Sequence, residues 1–76
     1  LQHTIIIFES PMRIIKTLED IKKYFGGERI ISIHRELTKM FEESYLGNIN
    51  EAIDHFSSKK CKGEFVLIIA KEGYKI

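Results

Sequence analysis

The sequence has one cysteine, one proline and no tryptophan, and its longest apolar run, Phe65–Ala70, is short. The single cysteine, Cys61, excludes an intramolecular disulfide, and a free thiol is typical of a reducing compartment such as the cytoplasm. The short apolar run excludes a transmembrane helix, which needs about 20 residues. A net charge of +1 at pH 7 indicates neither a nucleic acid nor a membrane partner.

The 76 residues are enough for one domain, and 43% apolar with 30% charged residues is typical of a globular protein. The sequence begins at Leu1, two residues short of a strand-like segment, and has no initiator methionine. We therefore expect the chain to be a processed or truncated product.

The first strand and helix have the clearest pattern. Thr4–Phe8 holds three consecutive isoleucines, which predicts a strand buried on both faces, as in a central or parallel position. Ser10 is the predicted helix N-cap, with Pro11 at the first helical position. Gly26 and Gly27 predict the helix end. The helix stripe consists of Ile14, Ile15, Leu18, Ile21 and Phe25.

Further strands are predicted at Arg29–His34, at Met40–Leu46, where the pattern is weaker, and at Glu64–Ala70. Together with the helices they give the order β-α-β-β-α-β. This predicts an α/β fold with one mixed sheet and helices packed on it. The first two strands, joined by a helix, should be parallel. The order alone is typical of a ferredoxin-like arrangement, and a fold does not identify a function.

The second helix is predicted from a turn and a cap. Gly47 and Asn48 indicate a turn, and Asn48 with Glu51 resembles a capping box. Ile49, Ala52, Ile53 and Phe56 then follow at helical spacing.

No motif identifies an active site, so catalytic residues stay unknown. His3, His34 and His55 have no metal-ligand spacing with one another or with Cys61, and no metal site is predicted. The sequence also lacks a phosphate-binding loop and a nucleophile elbow. Cys61 has no base close in sequence to activate it.

Two polar segments are the candidates for chemistry. His34–Lys39 follows a predicted buried strand, and ligands tend to bind at strand ends in α/β sheets. The alternative is a charged connector in which Arg35 and Glu36 pair. Glu9 and Arg13 form a second candidate pair at the start of the helix. The alternative for Glu9 is a structural role as an acceptor for helix amides.

Three segments in order resemble one family: Phe8–Arg13, Arg35–Lys39 and Lys62–Ile68. They are similar to signatures of the bacterial ribosomal RNA small subunit methyltransferase I family, cytidine 2′-O-methyltransferases built on the tetrapyrrole (corrin/porphyrin) methylase fold. The spacing between the segments matches as well. Two positions depart from the family pattern: Met12 replaces a usual histidine, and His34 replaces a small residue.

The resemblance implies two α/β domains with S-adenosylmethionine bound between them. Residues 1–76 would then be a partial C-terminal domain that lacks the N-terminal domain and its own opening strand and helix. The family fold places the final strand between the first two, antiparallel to both, which replaces the ferredoxin-like order. We expect such an isolated lobe to be inactive.

The implied reaction is attack of a ribose 2′-hydroxyl on the sulfonium methyl group. By position, His34, Glu64 and Phe65 are predicted to bind the cofactor, and Arg35, Glu36 and Lys39 the RNA substrate. The implied partners are ribosomal RNA or the small ribosomal subunit, the absent N-terminal domain, and a second copy. The second copy would pair through the exposed edge of Thr4–Phe8 or the interdomain surface. No membrane partner is expected.

Two alternatives stay open. The chain could be a fragment of a tetrapyrrole methylase from cobalamin or sirohaem biosynthesis, although Arg35–Lys39 favours the ribosomal RNA branch. It could also be a non-catalytic α+β module that binds RNA or protein.

Overall fold

The structure, a computed structural model, describes residues 5–38, 41–58 and 63–74. Its elements follow the predicted order and confirm the α/β class. They are β1 (Ile5–Glu9), α1 (Ile14–Phe25), β2 (Ile30–Thr38), β3 (Phe41–Asn48), α2 (Ile49–Ser57) and β4 (Glu64–Ile69). The strands form a four-stranded sheet in the order β1-β4-β2-β3. Every neighbouring pair is antiparallel, so the sheet is antiparallel and not mixed as predicted, because β4 lies between the parallel strands β1 and β2.

The sheet order is the one that the family resemblance implies. β4 lies between β1 and β2 and runs antiparallel to both. The strands β1 and β2 are therefore parallel to each other without being neighbours, as predicted. The ferredoxin-like order is wrong. In that order the first strand lies inside the sheet and the last strand at an edge, whereas here β4 lies inside the sheet and β1 lies at an edge.

Both helices cover the same face of the sheet, and the core lies between the two layers. Alternation along β4 places every second side chain in this core, in agreement with the period of a strand. The core residues are Ile14, Leu18 and Ile21 of α1, Ile49, Ala52 and Phe56 of α2, and Ile31, Ile33, Phe65, Leu67 and Ile69 of the sheet. The predicted stripes of both helices are largely confirmed, with Ile15, Phe25 and Ile53 only partly buried.

The opposite face of the sheet, here called the open face, has no element packed on it among the described residues. Paired residues of neighbouring strands share a face. The open face therefore contains Ile6 and Phe8 of β1, Glu64, Val66 and Ile68 of β4, Ser32, His34 and Glu36 of β2, and Ser44 and Leu46 of β3.

The prediction that the first strand is buried on both faces is wrong. β1 is an edge strand that pairs with β4 alone among the described strands. Ile5, Ile6 and Phe8 are 43%, 57% and 77% exposed. An unbroken apolar run shows that a strand can be buried on both faces, but burial also requires a neighbour on each side and a layer on each face.

The start of α1 also differs from the prediction. The helix begins at Ile14, and its N-cap is Arg13, which makes no side-chain cap. Ser10 and Pro11 instead belong to a turn closed by the Arg13 amide, which donates to the Ser10 carbonyl over 3.1 Å. The glycine stop is confirmed, since Gly26 follows the helix with a φ of 84° and donates its N–H to Lys22.

The hairpin of β2 and β3 is longer than predicted. β2 continues to Thr38, so Arg35 and Glu36 lie within a strand and not in a connector after it. β3 continues to Asn48, where a turn was predicted. The capping box is confirmed, because Asn48 Oδ1 accepts from the Glu51 amide over 2.8 Å and Glu51 Oε1 accepts from the Asn48 amide over 2.9 Å.

Candidate functional site

The alternation of β2 and β4 divides the predicted site residues between the two faces of the sheet. His34, Glu36 and Glu64 lie on the open face, and Glu36 is directly opposite Glu64. Arg35 and Phe65 lie on the helix-covered face, where they are directly opposite each other. Lys39 lies outside the described residues, as does Cys61. The structure therefore brings together three of the six predicted residues on an accessible surface.

His34 is held by hydroxyl groups at both ring nitrogens. Its Nε2 lies 3.0 Å from Ser32 Oγ and its Nδ1 lies 3.0 Å from Ser44 Oγ. A neutral imidazole has a single N–H, so one serine donates to the ring and the other accepts from it. This fixes the plane of the ring on the open face. Sequence reasoning missed both serines, and only the β2–β3 register brings Ser44 to His34.

The neighbouring row of the open face is acidic. Glu36 and Glu64 are both exposed, and carboxylates directly opposite each other repel. A small hollow of about 80 Å³ lies beside Glu36, lined by His34, Arg35, Glu36, Ser44 and Val66. A carboxylate at its wall suits a cationic ligand.

Arg35 points into the protein and is only 9% exposed. Its Nη2 lies 2.8 Å from Glu43 Oε1, and its guanidinium carbon lies 6.0 Å from the centre of the Phe65 ring. Neither Arg35 Nε nor Glu43 Oε1 makes a hydrogen bond among the described residues, so the contact of Arg35 with Glu43 is a close ion pair without hydrogen-bond geometry. Arg35 therefore pairs across the hairpin with Glu43, and not with Glu36 as the local alternative proposed.

The Phe65 side chain is fully buried and meets the Phe56 ring edge-on, with the ring centres 5.5 Å apart. Because this ring is enclosed by the core, we expect any contact of Phe65 with a cofactor to involve its main chain. Glu64, by contrast, is exposed and can make contacts with its side chain, whereas His34, with both ring nitrogens held by serines, offers the exposed face of its ring.

Glu9, the second candidate, serves the start of α1. Its Oε2 accepts from Thr17 Oγ1 over 2.6 Å, and its Oε1 accepts from the Ser10 amide over 2.9 Å. The predicted pair with Arg13 is present, with 3.6 Å between Arg13 Nε and Glu9 Oε1. The Thr17 hydroxyl, the Ser10 amide and Arg13 lower the pKa of Glu9. These contacts fit the structural role that was the alternative reading of Glu9.

We expect Thr17→Val to raise the pKa of Glu9, because it removes the strongest of these contacts. A lowered folded-state pKa adds stability above the unfolded-state pKa, and this stability is lost as the pH falls through the folded value. The valine variant should therefore lose more stability at neutral than at strongly acidic pH. Carboxyl NMR titration and urea unfolding measure both effects, with Thr17→Ser as the control. An unchanged Glu9 pKa in Thr17→Val would contradict this assignment.

Residues 5–38, 41–58 and 63–74 contain no group of three or more histidine, cysteine, aspartate or glutamate side chains that could hold a metal ion.

Neither α1 nor α2 is long and apolar enough to cross a membrane.

Comparison with known proteins finds relatives over most of the chain. No family model matches it. Proteins named ribosomal RNA small subunit methyltransferase I do match. The protein from Synechocystis sp. is 42% identical over 69 residues, which cover 91% of this chain and 25% of the relative. The proteins from Thermotoga maritima and Bacillus subtilis are 42% and 40% identical, over 87% and 90% of this chain and 29% and 23% of their own lengths. The chain thus spans about a quarter of the length of these curated relatives.

Proposed function

We propose that the chain belongs to the ribosomal RNA small subunit methyltransferase I family and that it is one lobe of an S-adenosylmethionine-dependent methyltransferase acting on small-subunit ribosomal RNA. The observation that carries this proposal is the match to relatives of that name across nine tenths of the chain. The proposed acceptor is the 2′-hydroxyl of a cytidine. Because the chain spans about a quarter of its relatives' length, we propose that it is inactive alone. We also propose that the parent works in the cytoplasm.

In the proposed reaction, the 2′-oxygen forms a bond to the methyl carbon as the carbon–sulfur bond breaks. The sulfonium becomes a neutral sulfide, and the hydroxyl proton leaves. The methyl donor is already activated by its charge, so the protein contributes mainly alignment and exclusion of water. The residues assigned below therefore act by binding and orientation.

Three residues of the open face fit contacts with the cosubstrate and the acceptor. Glu64 and His34 are assigned to the adenosine side of S-adenosylmethionine, where carboxylates also favour its positive charge. Glu36, opposite Glu64, is assigned to orienting a substrate group. Three observations support these roles. All three side chains are in exposed positions, Glu36 lies directly opposite Glu64, and two serine contacts fix the plane of the His34 ring.

Arg35 and Lys39 are assigned to RNA phosphates, as the family resemblance implies. Arg35 is already paired with Glu43 at 2.8 Å, so a phosphate would have to compete with that carboxylate. Lys39 lies outside the described residues, and its assignment rests on the family resemblance alone.

The absent part of the parent is proposed to close over the β1 side of the open face, where the exposed Ile6 and Phe8 suit an apolar interface. The isolated chain is proposed to form a homodimer through the free edge of β1 or through this same face. A monomeric mass in light scattering at high protein concentration would contradict the homodimer.

The function is tested with the parent polypeptide, labelled S-adenosylmethionine and small ribosomal subunits. We expect methyl transfer to the RNA, with 2′-O-methylcytidine found after nuclease digestion and mass spectrometry. A methyl group on a base would contradict the acceptor. Methylation of a tetrapyrrole in place of RNA would favour the biosynthetic alternative, and RNA binding without methyl transfer would favour the non-catalytic module.

A further inference from the structure

A second hollow of about 310 Å³ lies on the open face, at the opposite end from Glu36 and Glu64. Its apolar walls come from the three neighbouring strands β4, β2 and β3. A size near 300 Å³ is at the lower end for ligand sites. The lining residues are Ile30, Ser32, Leu46, Ile68, Ala70, Lys71 and Tyr74.

Tyr74 is held over this hollow by a turn. The Tyr74 amide donates to the Lys71 carbonyl over 3.2 Å, and Gly73 adopts a φ of 86°, which a side chain would strain. The Tyr74 ring remains 47% exposed. An aromatic ring therefore stands half free beside an apolar floor, an arrangement that favours stacking with a flat ligand.

Two polar groups complete the hollow. The Ser32 hydroxyl is oriented by His34 Nε2 at 3.0 Å and can exchange a hydrogen bond with a ligand edge. Lys71 contributes an exposed ammonium group, which suits a phosphate. An aliphatic ligand would use neither group, whereas a nucleotide uses the ring, the hydroxyl and the cation together.

The surrounding charge limits the size of the ligand. Lys71 and Arg29 are balanced by Glu28 and Glu72, which line the adjoining hollow with Arg29. Arg29 is also engaged, because its Nη1 donates to the Ala70 carbonyl over 3.2 Å. Because the positive and negative charges around the hollow are equal in number, they do not form a positive surface along which a long phosphate backbone could bind. The site therefore fits one nucleotide.

We propose that this hollow binds one unpaired nucleotide of an RNA strand, with the base stacked on Tyr74 and hydrogen-bonded to Ser32, and the phosphate on Lys71. This inference rests on the proposed function and adds to it a second RNA contact, away from the predicted cofactor residues.

The test uses the 76-residue chain and a fluorescent single-stranded cytidine hexanucleotide, with binding followed by anisotropy. We expect Tyr74→Ala to weaken binding about tenfold, as for the loss of one stacked base. The matched control is Tyr24→Ala, since Tyr24 is 86% exposed on α1 in the other layer. Lys71→Gln should reduce the slope of log affinity against log salt by about 0.7, the value for one phosphate of a single strand.

Several results would overturn the inference: no binding at millimolar chain, equal losses in Tyr74→Ala and Tyr24→Ala, or tighter Tyr74-dependent binding of S-adenosylmethionine than of the hexanucleotide. Failure here is separable from failure of the proposed function. If the parent methylates ribosomal RNA but the affinity for the hexanucleotide does not depend on Tyr74, only this site is refuted. Tyr74-dependent RNA binding without methylation refutes only the enzyme assignment.

Discussion

Replacing Phe65 with alanine is expected to leave much of the chain unfolded. The Phe65 ring is fully buried at the centre of the sheet and packs on Phe56. Truncating a buried phenylalanine costs about 3–5 kcal/mol. Natural domains are stable by about 5–15 kcal/mol, and one this short is expected near the lower limit. Urea denaturation followed by circular dichroism measures the loss.

Phe8→Ala is the matched control, because Phe8 is also in a strand but is 77% exposed. Its effect should be within about 0.5 kcal/mol, as for surface substitutions. Equal losses in the two variants would contradict the division of the sheet into a buried and an open face. A stable Phe65→Ala variant would also show that the ring is free to contact a cofactor.

Glu43→Gln is expected to destabilise the chain by about 2–3 kcal/mol, because it leaves the buried guanidinium of Arg35 without its carboxylate. Losing one partner of a fully buried pair costs about 3–5 kcal/mol. The smaller value is expected here because the Glu43 side chain is 36% exposed. Combining it with Arg35→Met should recover most of the loss, since neither charge then remains.

The control for the Glu43 and Arg35 substitutions is the exposed pair of Lys16 and Asp20, whose charged atoms lie 3.9 Å apart. Lys16→Gln should cost less than about 1 kcal/mol. If Glu43→Gln costs no more than that, Arg35 is not held by Glu43. The guanidinium would then be available for a phosphate, as its predicted role requires.

The local features of the fold were predictable from the sequence. The stripe of α1, its glycine stop and the capping box of α2 all depend on residues within one or two helical turns, and the structure confirms them. The burial of β1 was not predictable in this way. Ile5 and Ile6 suit a buried strand, but their burial depends on neighbours that the pattern of five residues does not specify.

The candidate site shows the same limit at the level of single residues. The segment from His34 to Glu36 was recognised as unusual, but its extension of β2 depends on pairing with β3. In a strand, adjacent residues face opposite ways, so Arg35 turns inward between two outward residues. The Ser44 contact to His34 and the Glu43 contact to Arg35 both arise from the register. The position of β4 followed only from the family resemblance.

If this chain provides only one wall of a methyl-donor cleft, S-adenosylmethionine should bind to the parent polypeptide but not to the 76-residue chain. Calorimetric titration of S-adenosylmethionine into each of the two proteins measures this difference. We expect saturable binding to the parent and no measurable heat with the chain alone. Equal affinity for the two proteins, together with methyl transfer to ribosomal RNA by the chain alone, would contradict it.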